Sequence, residues 1–287
     1  MAKNIFLFQA FQIRYSVPNR KQVILKINSL SVEKGKCYFI LGENGAGKSS
    51  LLAVMGGYLA PDSGQLFWKE KTIKPLSERL VKGFEGISLV KQEPELNPFL
   101  TAGEELFKAL RHLPDRACSL KKNELVRVCR LKPILLQKTG NLSGGEKRRL
   151  AIAIALAKNA EMLLLDEPFS DLDYPAKAIF RAMLLDLKQV QQTALVIVSH
   201  QGEDSYWLAD QLLTMEKGRW IEKLDRTVSG FNPKLGRTAR LLGWKNVVDS
   251  SLLASPIFKS QNEKTTFVYI PPNAIRFSPT KHCSFAL

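Results

Sequence analysis

A chain of 287 residues, 45% hydrophobic and 24% charged, is long enough for one large α/β domain with a small appendage and too apolar for default disorder. Its formal net charge of +15 leaves two readings open: attraction to nucleic acid or an anionic membrane face, or simply a solvated basic surface. No apolar run approaches the roughly 18 residues of a membrane-spanning helix, and Cys37, Cys118, Cys129 and Cys283 lie far apart with no C-x-x-C pair, which points to scattered thiols rather than a zinc site or disulfide framework.

The N-terminal stretch MAKNIFLFQAF has one lysine and no small-residue cleavage site, so it is not read as a signal peptide. The basic excess is spread along the chain, apart from the runs Lys121-Lys122 and Lys147-Arg148-Arg149. Residues 151–224 are net acidic.

The first strong element is the apolar run Cys37–Leu41, which predicts a strand. It is followed by Gly42, Glu43, Asn44, Gly45, Ala46, Gly47, Lys48 and Ser49, which fit G-x-x-x-x-G-K-[ST]. A loop of backbone N–H groups that wraps phosphates is obstructed by Cβ atoms, so glycines recur. Lys48 supplies a point charge and the Ser49 hydroxyl a ligand for Mg²⁺. Ser49–Met55 predicts a helix, whose N-terminus adds its dipole to the site.

Further on, Ile87–Val90 predicts a strand that opens at Gln92 and Pro94. Residues 98–138 lack strand runs and predict two or three helices, around 102–112 and 121–130. Ser143 and Glu146 are spaced as a capping box ahead of a helix through Lys158, and Gly144 and Gly145 leave N–H groups bare at its positive end, a second place for an anion. Met162–Leu165 reads as a buried strand that ends in two carboxylates, Asp166 and Glu167. That end of an open α/β sheet is where ligands bind. Adjacent carboxylates there point in different directions, so one can hold Mg²⁺ while the other polarises water. Thr193–Ser199 is another buried strand, and His200 follows at the same edge, placed to meet a phosphate or its attacking water. Tyr15, alone in a strand, reads as a core residue.

Taken in order, these pieces resemble the ATP-binding cassette (ABC) ATPases over about residues 5–224. Gly42–Ser49 resembles the Walker A loop, with Ser50 the following hydroxyl, and Gln92 resembles the Q-loop glutamine. Leu142–Glu146 is similar to the signature loop and Leu163–Glu167 to Walker B. Ser170-Asp171-Leu172-Asp173 resembles the D-loop, with Asp171 where a small residue is commoner, and His200 resembles the switch histidine. Tyr15 sits where family members stack an aromatic ring on adenine. The resemblance implies an α/β P-loop NTPase cassette: a parallel core sheet, an antiparallel β subdomain and a helical subdomain at about 98–150. A nucleotide-binding domain over 1–224 and a short β-rich C-terminal region over 225–287 are expected. ATP and Mg²⁺ are the implied substrate and ion, with Ser49, Gln92 and Asp166 around the metal. Lys48 is the implied phosphate clamp, Glu167 the general base and His200 the γ-phosphate sensor. Ser143, Gly144 and Gly145 of one copy are expected to face the nucleotide of the other, in a homodimer.

Asn97–Thr101 resembles the stretch after the Q-loop in importer ATPases, for which the membrane permease and the periplasmic or extracellular substrate-binding protein are separate chains. Leu241–Val248 and Val268–Ser278 are similar to the opening of the regulatory domain of molybdate/tungstate and sulfate importers, although Pro272-Asn273 stands in place of Pro-Glu. With Leu287 ahead of any β-barrel repeats, a full oxyanion-sensing domain is not expected. The implied place is the cytoplasmic face of the membrane, with no nucleic-acid partner. The alternatives are a soluble ABC ATPase acting on nucleic acid or ribosomes, and the ATPase of an efflux system.

Overall fold

The computed structural model describes residues 6–16, 23–73, 83–227 and 230–244, with the backbone of four short strands beyond them. β1 (Phe6–Ser16) and β2 (Val23–Glu33) pair antiparallel, Ala10 opposite Leu30 and Ile13 opposite Ile27. β3 (Cys37–Leu41) leaves for a second sheet, and β4 (Ser63–Trp68) and β5 (Lys71–Thr72) return to complete an antiparallel sheet in the order β2-β1-β4-β5. The second sheet takes β6 (Ile87–Val90), β7 (Met162–Asp166), β8 (Ala194–Ser199), β9 (Gln211–Glu216) and β10 (Arg219–Asp225), in the order β10-β9-β3-β8-β7-β6. Its pairs are parallel except β9 with β10, so the C-terminal ends of β3, β6, β7 and β8 share one edge.

The central strands are continuous apolar runs because both of their faces are buried. Cys37, Phe39 and Leu41 of β3 join one core with Leu163, Leu165, Leu195 and Ile197, while Tyr38 and Ile40 join a second with Met162, Leu164 and Val196. The period of two thus divides one strand between two cores. The second core also holds α1 (Lys48–Met55), clamped between the two sheets by Leu51, Leu52 and Met55. Fully burying each such side chain contributes roughly 1.5–3 kcal/mol.

The first core is closed by α2 (Ala102–Leu110), α3 (Asp115–Val128), α4 (Gly144–Ala157), α5 (Tyr174–Gln189) and α6 (Ser205–Leu208). α2 and α4 both start in capping boxes, Thr101 with Glu104 and Ser143 with Glu146. α3 begins six residues before the expected 121, because Pro114 and the first-turn acid Asp115 open it there. Its buried face is thin, Cys118 and Leu125, which is why apolar spacing gave its start poorly.

The region after β10 opens with a helix rather than a strand. α7 (Gly236–Leu241) buries Thr238 and Ala239, and Phe231 and Leu242 belong to the first core. Short antiparallel pairs follow, β11 (Val247–Asp249) with β12 (Phe267–Tyr269) and β13 (Ile275–Phe277) with β14 (Cys283–Phe285). Lys245, Asn246, residues 270–274 and Ser278 of the tail resemblance lie outside the described residues. Among the described residues, no helix is long and apolar enough to cross a membrane.

Candidate functional site

The loop 42–49 joins the end of β3 to the start of α1, at the edge where the parallel strands finish. The first N–H groups of α1, from Lys48 to Ser50, have no acceptor within the helix and form its positive end. Gly47 caps that helix at φ +102°, a conformation other residues rarely adopt. Gly42 has a packing reason as well as its place in the motif: a Cβ there would lie 2.5 Å from the Met215 carbonyl oxygen, so the glycine admits β9. Glu43, Asn44 and Gly45 form the exposed tip, and Ala46 is buried beneath it.

Lys48 Nζ donates to the carbonyls of Gly42 at 2.8 Å and Glu43 at 3.2 Å, and stands 3.7 Å from Glu167 Oε1. Burial lowers its pKa, with the carboxylates of Glu167 and Asp166 acting in opposition. Ser49 Oγ donates to Asp166 Oδ1 at 3.3 Å. Burial pushes the Asp166 pKa up, against the Ser49 hydroxyl that favours the charged form. A hydroxyl beside a carboxylate at a helix N-terminus is an oxygen-donor pair of the kind that suits Mg²⁺, which prefers few protein ligands beside substrate phosphates.

The two adjacent carboxylates do diverge. Glu167 has φ +46°, uncommon for a non-glycine residue, and its N–H bonds to the Val198 carbonyl at 3.0 Å. Its side chain turns to β8, where Oε2 meets Ser199 Oγ at 3.1 Å, the His200 N–H at 3.4 Å and His200 Nδ1 at 3.0 Å. Lys48, Ser49, Asp166, Glu167 and His200 therefore stand together at one sheet edge. Ser199 was not singled out from the sequence, although its place as the last residue of β8 was a usable signal.

Gln92 joins this group indirectly. Its Nε2 donates to Ser170 Oγ at 3.2 Å, and that hydroxyl donates to the Glu167 carbonyl at 2.9 Å. The same serine receives Arg148 Nη2 at 2.9 Å. Arg148 is 3% exposed, whereas the sequence suggested a surface basic run. Asp173 has a structural task, accepting from Ala176 N at 2.8 Å as the cap of α5.

Other residues expected at the site stand apart from this group. Ser143 spends its hydroxyl in its own capping box, 2.8 Å from Glu146 Oε2, and Gly144 beside it faces open space. Tyr15 is only 9% exposed and packs in the core between the sheets, opposite Leu25 of β2. Leu25 Cδ2 lies 3.1 Å from where a Cβ on Gly47 would stand, so β2 packs closely behind the loop.

Residues 25–170, just over half of the chain, match the ABC transporter family. The chain belongs to that family. Among relatives, the molybdate/tungstate import ATP-binding protein WtpC of Thermococcus kodakarensis is 34% identical over 224 residues, 77% of this chain and 66% of the relative. The thiamine import ATP-binding protein ThiQ of Salmonella choleraesuis is 34% identical over 208 residues, 70% of this chain and 86% of the relative. The chain thus spans just under two thirds of WtpC. Among solved structures, the ATP-binding cassette MJ0796, a dimer in a post-hydrolysis state bound to ADP and Pi, superposes with a TM-score of 0.65 at 23% identity. That match covers 76% of this chain and 98% of MJ0796. The two-sheet fold is that of an ABC cassette, as the sequence led one to expect.

Proposed function

We propose that this ABC protein is the ATP-hydrolysing subunit of an importer, working as a homodimer on a separate membrane permease at the cytoplasmic face. The observation that carries the reading is the convergence of Lys48, Ser49, Asp166, Glu167 and His200 at the end of the parallel sheet. Such a site needs little covalent chemistry; it positions phosphate and stabilises its charge.

Lys48 clamps the β- and γ-phosphates over the positive end of α1, exchanging the Gly42 and Glu43 carbonyls for phosphate oxygens. Ser49 and Asp166 would hold Mg²⁺, with Gln92 reaching it from its loop. The ion, when bound, neutralises charge on the transferring phosphate. Glu167 accepts the proton of the attacking water, and Ser199 and His200 orient its carboxylate. Gly144 and Gly145, at the bare N-terminus of α4, form a second anion site that serves the nucleotide of the other copy. The nucleotide-binding function belongs to 1–224, with Phe231, Leu242 and Trp244 packed on its first core.

The permease meets the helical subdomain, where Phe99 and Leu136 are exposed by 80% and 93%. A groove of about 580 Å³ lies between Pro94–Leu96 and the helices α2 and α4. The cargo is an oxyanion, molybdate or tungstate first, delivered by an external binding protein. That choice rests on the tail resemblance and on the WtpC relatives, and thiamine and glucose importers are also similar to this chain. The test is ATPase activity of the reconstituted complex with its binding protein over a panel of anions, amino acids, sugars, thiamine and polyamines. Stimulation by molybdate or tungstate supports the cargo; stimulation by thiamine or a sugar alone discards it. No Mg²⁺-dependent hydrolysis by the wild-type complex would overturn the enzyme.

A further inference from the structure

Arg148 lies in the first turns of α4, and its guanidinium is buried against loops from two other places in the chain. Nε donates to the Gln92 carbonyl at 3.1 Å, Nη1 to the carbonyls of Pro168 at 3.3 Å and Ser170, and Nη2 to Ser170 Oγ. The Asp171 carboxylate stands 3.8 Å away. Guanidinium has five N–H donors and no acceptor. Four hydrogen bonds and one ion pair occupy the fork.

Ser170 is equally committed. Its hydroxyl accepts from Arg148 and from Gln92 Nε2, and donates to the Glu167 carbonyl. A serine hydroxyl has one donor and two acceptor positions, and all three are used. Three segments therefore meet on one cation: the turn after β6 with Gln92, the loop 167–171 after β7, and the helix that begins at Ser143. Asp171 sits at φ +60° with its side chain 82% exposed, so the ion pair alone contributes little. The hydrogen bonds to carbonyls carry the weight, since their loss leaves buried acceptors without donors.

We propose that Arg148 is a positioning residue that locks the Gln92 turn and the 168–171 loop to α4, so that the orientation of this helix sets the geometry of Glu167. The inference rests on the hydrolytic reading above and deepens it. It gives the loop that carries Glu167 a rigid link to the helix whose N-terminus serves the second nucleotide. Residues 168–171 and Gln92 then move with α4 as one body.

The experiment compares Arg148→Met and Arg148→Lys with wild type, in ATP turnover and in hydrogen exchange of the nucleotide-free chain. Arg148→Met is expected to lower kcat roughly 10- to 100-fold, the cost of a small misplacement of reacting groups, with KM for ATP within about threefold. Arg148→Lys, which keeps the charge without the fork, should recover part of kcat. Exchange should rise in residues 91–97 and 168–173 and stay unchanged in β3 and α1. Wild-type kcat in Arg148→Met overturns the proposal, as does a loss of kcat matched by faster exchange across the whole domain. If Arg148→Met does not fold, Arg148→Lys is read by the same criteria. An inactive wild type condemns the hydrolytic reading, and the exchange pattern still decides whether Arg148 holds the loops.

Discussion

Glu167 and His200 share a contact of 3.0 Å between Oε2 and Nδ1, while the other oxygen of the same carboxylate stands 3.7 Å from the Lys48 ammonium. The carboxylate bridges the imidazole and the ammonium, so its orientation is held from both sides. Glu167→Gln keeps the shape and loses the base. Turnover is expected to fall on the order of 10²–10⁴-fold with ATP binding retained. Light scattering with ATP and Mg²⁺ should show accumulated dimer; a variant that stays monomeric and hydrolyses at the wild-type rate removes Glu167 from the role of base.

Lys48→Ala and Ser143→Ala should part company. The first removes a charge-assisted contact to phosphate and should weaken ATP binding about 10- to 100-fold. The second is expected to leave the isolated chain's affinity intact and lower turnover if, as proposed, the phosphate it serves belongs to the other copy. Equal loss of nucleotide affinity in the two, measured by titration calorimetry, contradicts the two-copy site.

Gly42→Ala tests the packing role of that glycine. The new methyl would meet the Met215 carbonyl at 2.5 Å, and β9 must shift to receive it. A destabilisation of roughly 1–3 kcal/mol is expected. Thermal unfolding should show it without any nucleotide present; an unchanged Tm returns Gly42 to the phosphate site alone.

The buried thiols should be inert. Burial pushes the Cys129 pKa up to about 12 and raises that of Cys37 as well, so neither offers thiolate at neutral pH. In a Cys283→Ala background, an aromatic disulfide reagent at pH 7.5 should release no chromophore until denaturant is added. Rapid stoichiometric labelling of the folded chain would show that the cores open.

Much of the site could be read in the chain because each part is local. The phosphate loop is eight consecutive residues, Asp166 and Glu167 end an apolar run, and Ser143 caps its helix across three positions. Arg148 could not be read that way. Its acceptors lie 56 and 22 residues distant in sequence, and Lys147-Arg148-Arg149 gives no sign of which cation turns inward. A guanidinium enclosed by carbonyls is not available to nucleic acid. Tyr15 carried two expectations, a core residue from its strand and a stacking ring from the family resemblance, and its 9% exposure speaks only to the first. The early start of α3 and the helix α7 were hidden because short, thinly buried helices leave weak periodicity.

The loop that bears His200 is roofed by residues from beyond the last strand of the main sheet. Gly202 N–H bonds to the Leu241 carbonyl at 2.7 Å, Thr238 meets Thr214 at 3.2 Å, and Trp244 donates to the Tyr206 hydroxyl at 2.7 Å. Shortening the gene to end at Asp225 would thus uncover the His200 loop: Leu242 and Phe231 would vanish from the core, and the backbone at Gly202 would lose its acceptor. Residues 231–244 belong to the packing of the main fold, and a truncation that removes them is expected to lower the Tm before any nucleotide is added.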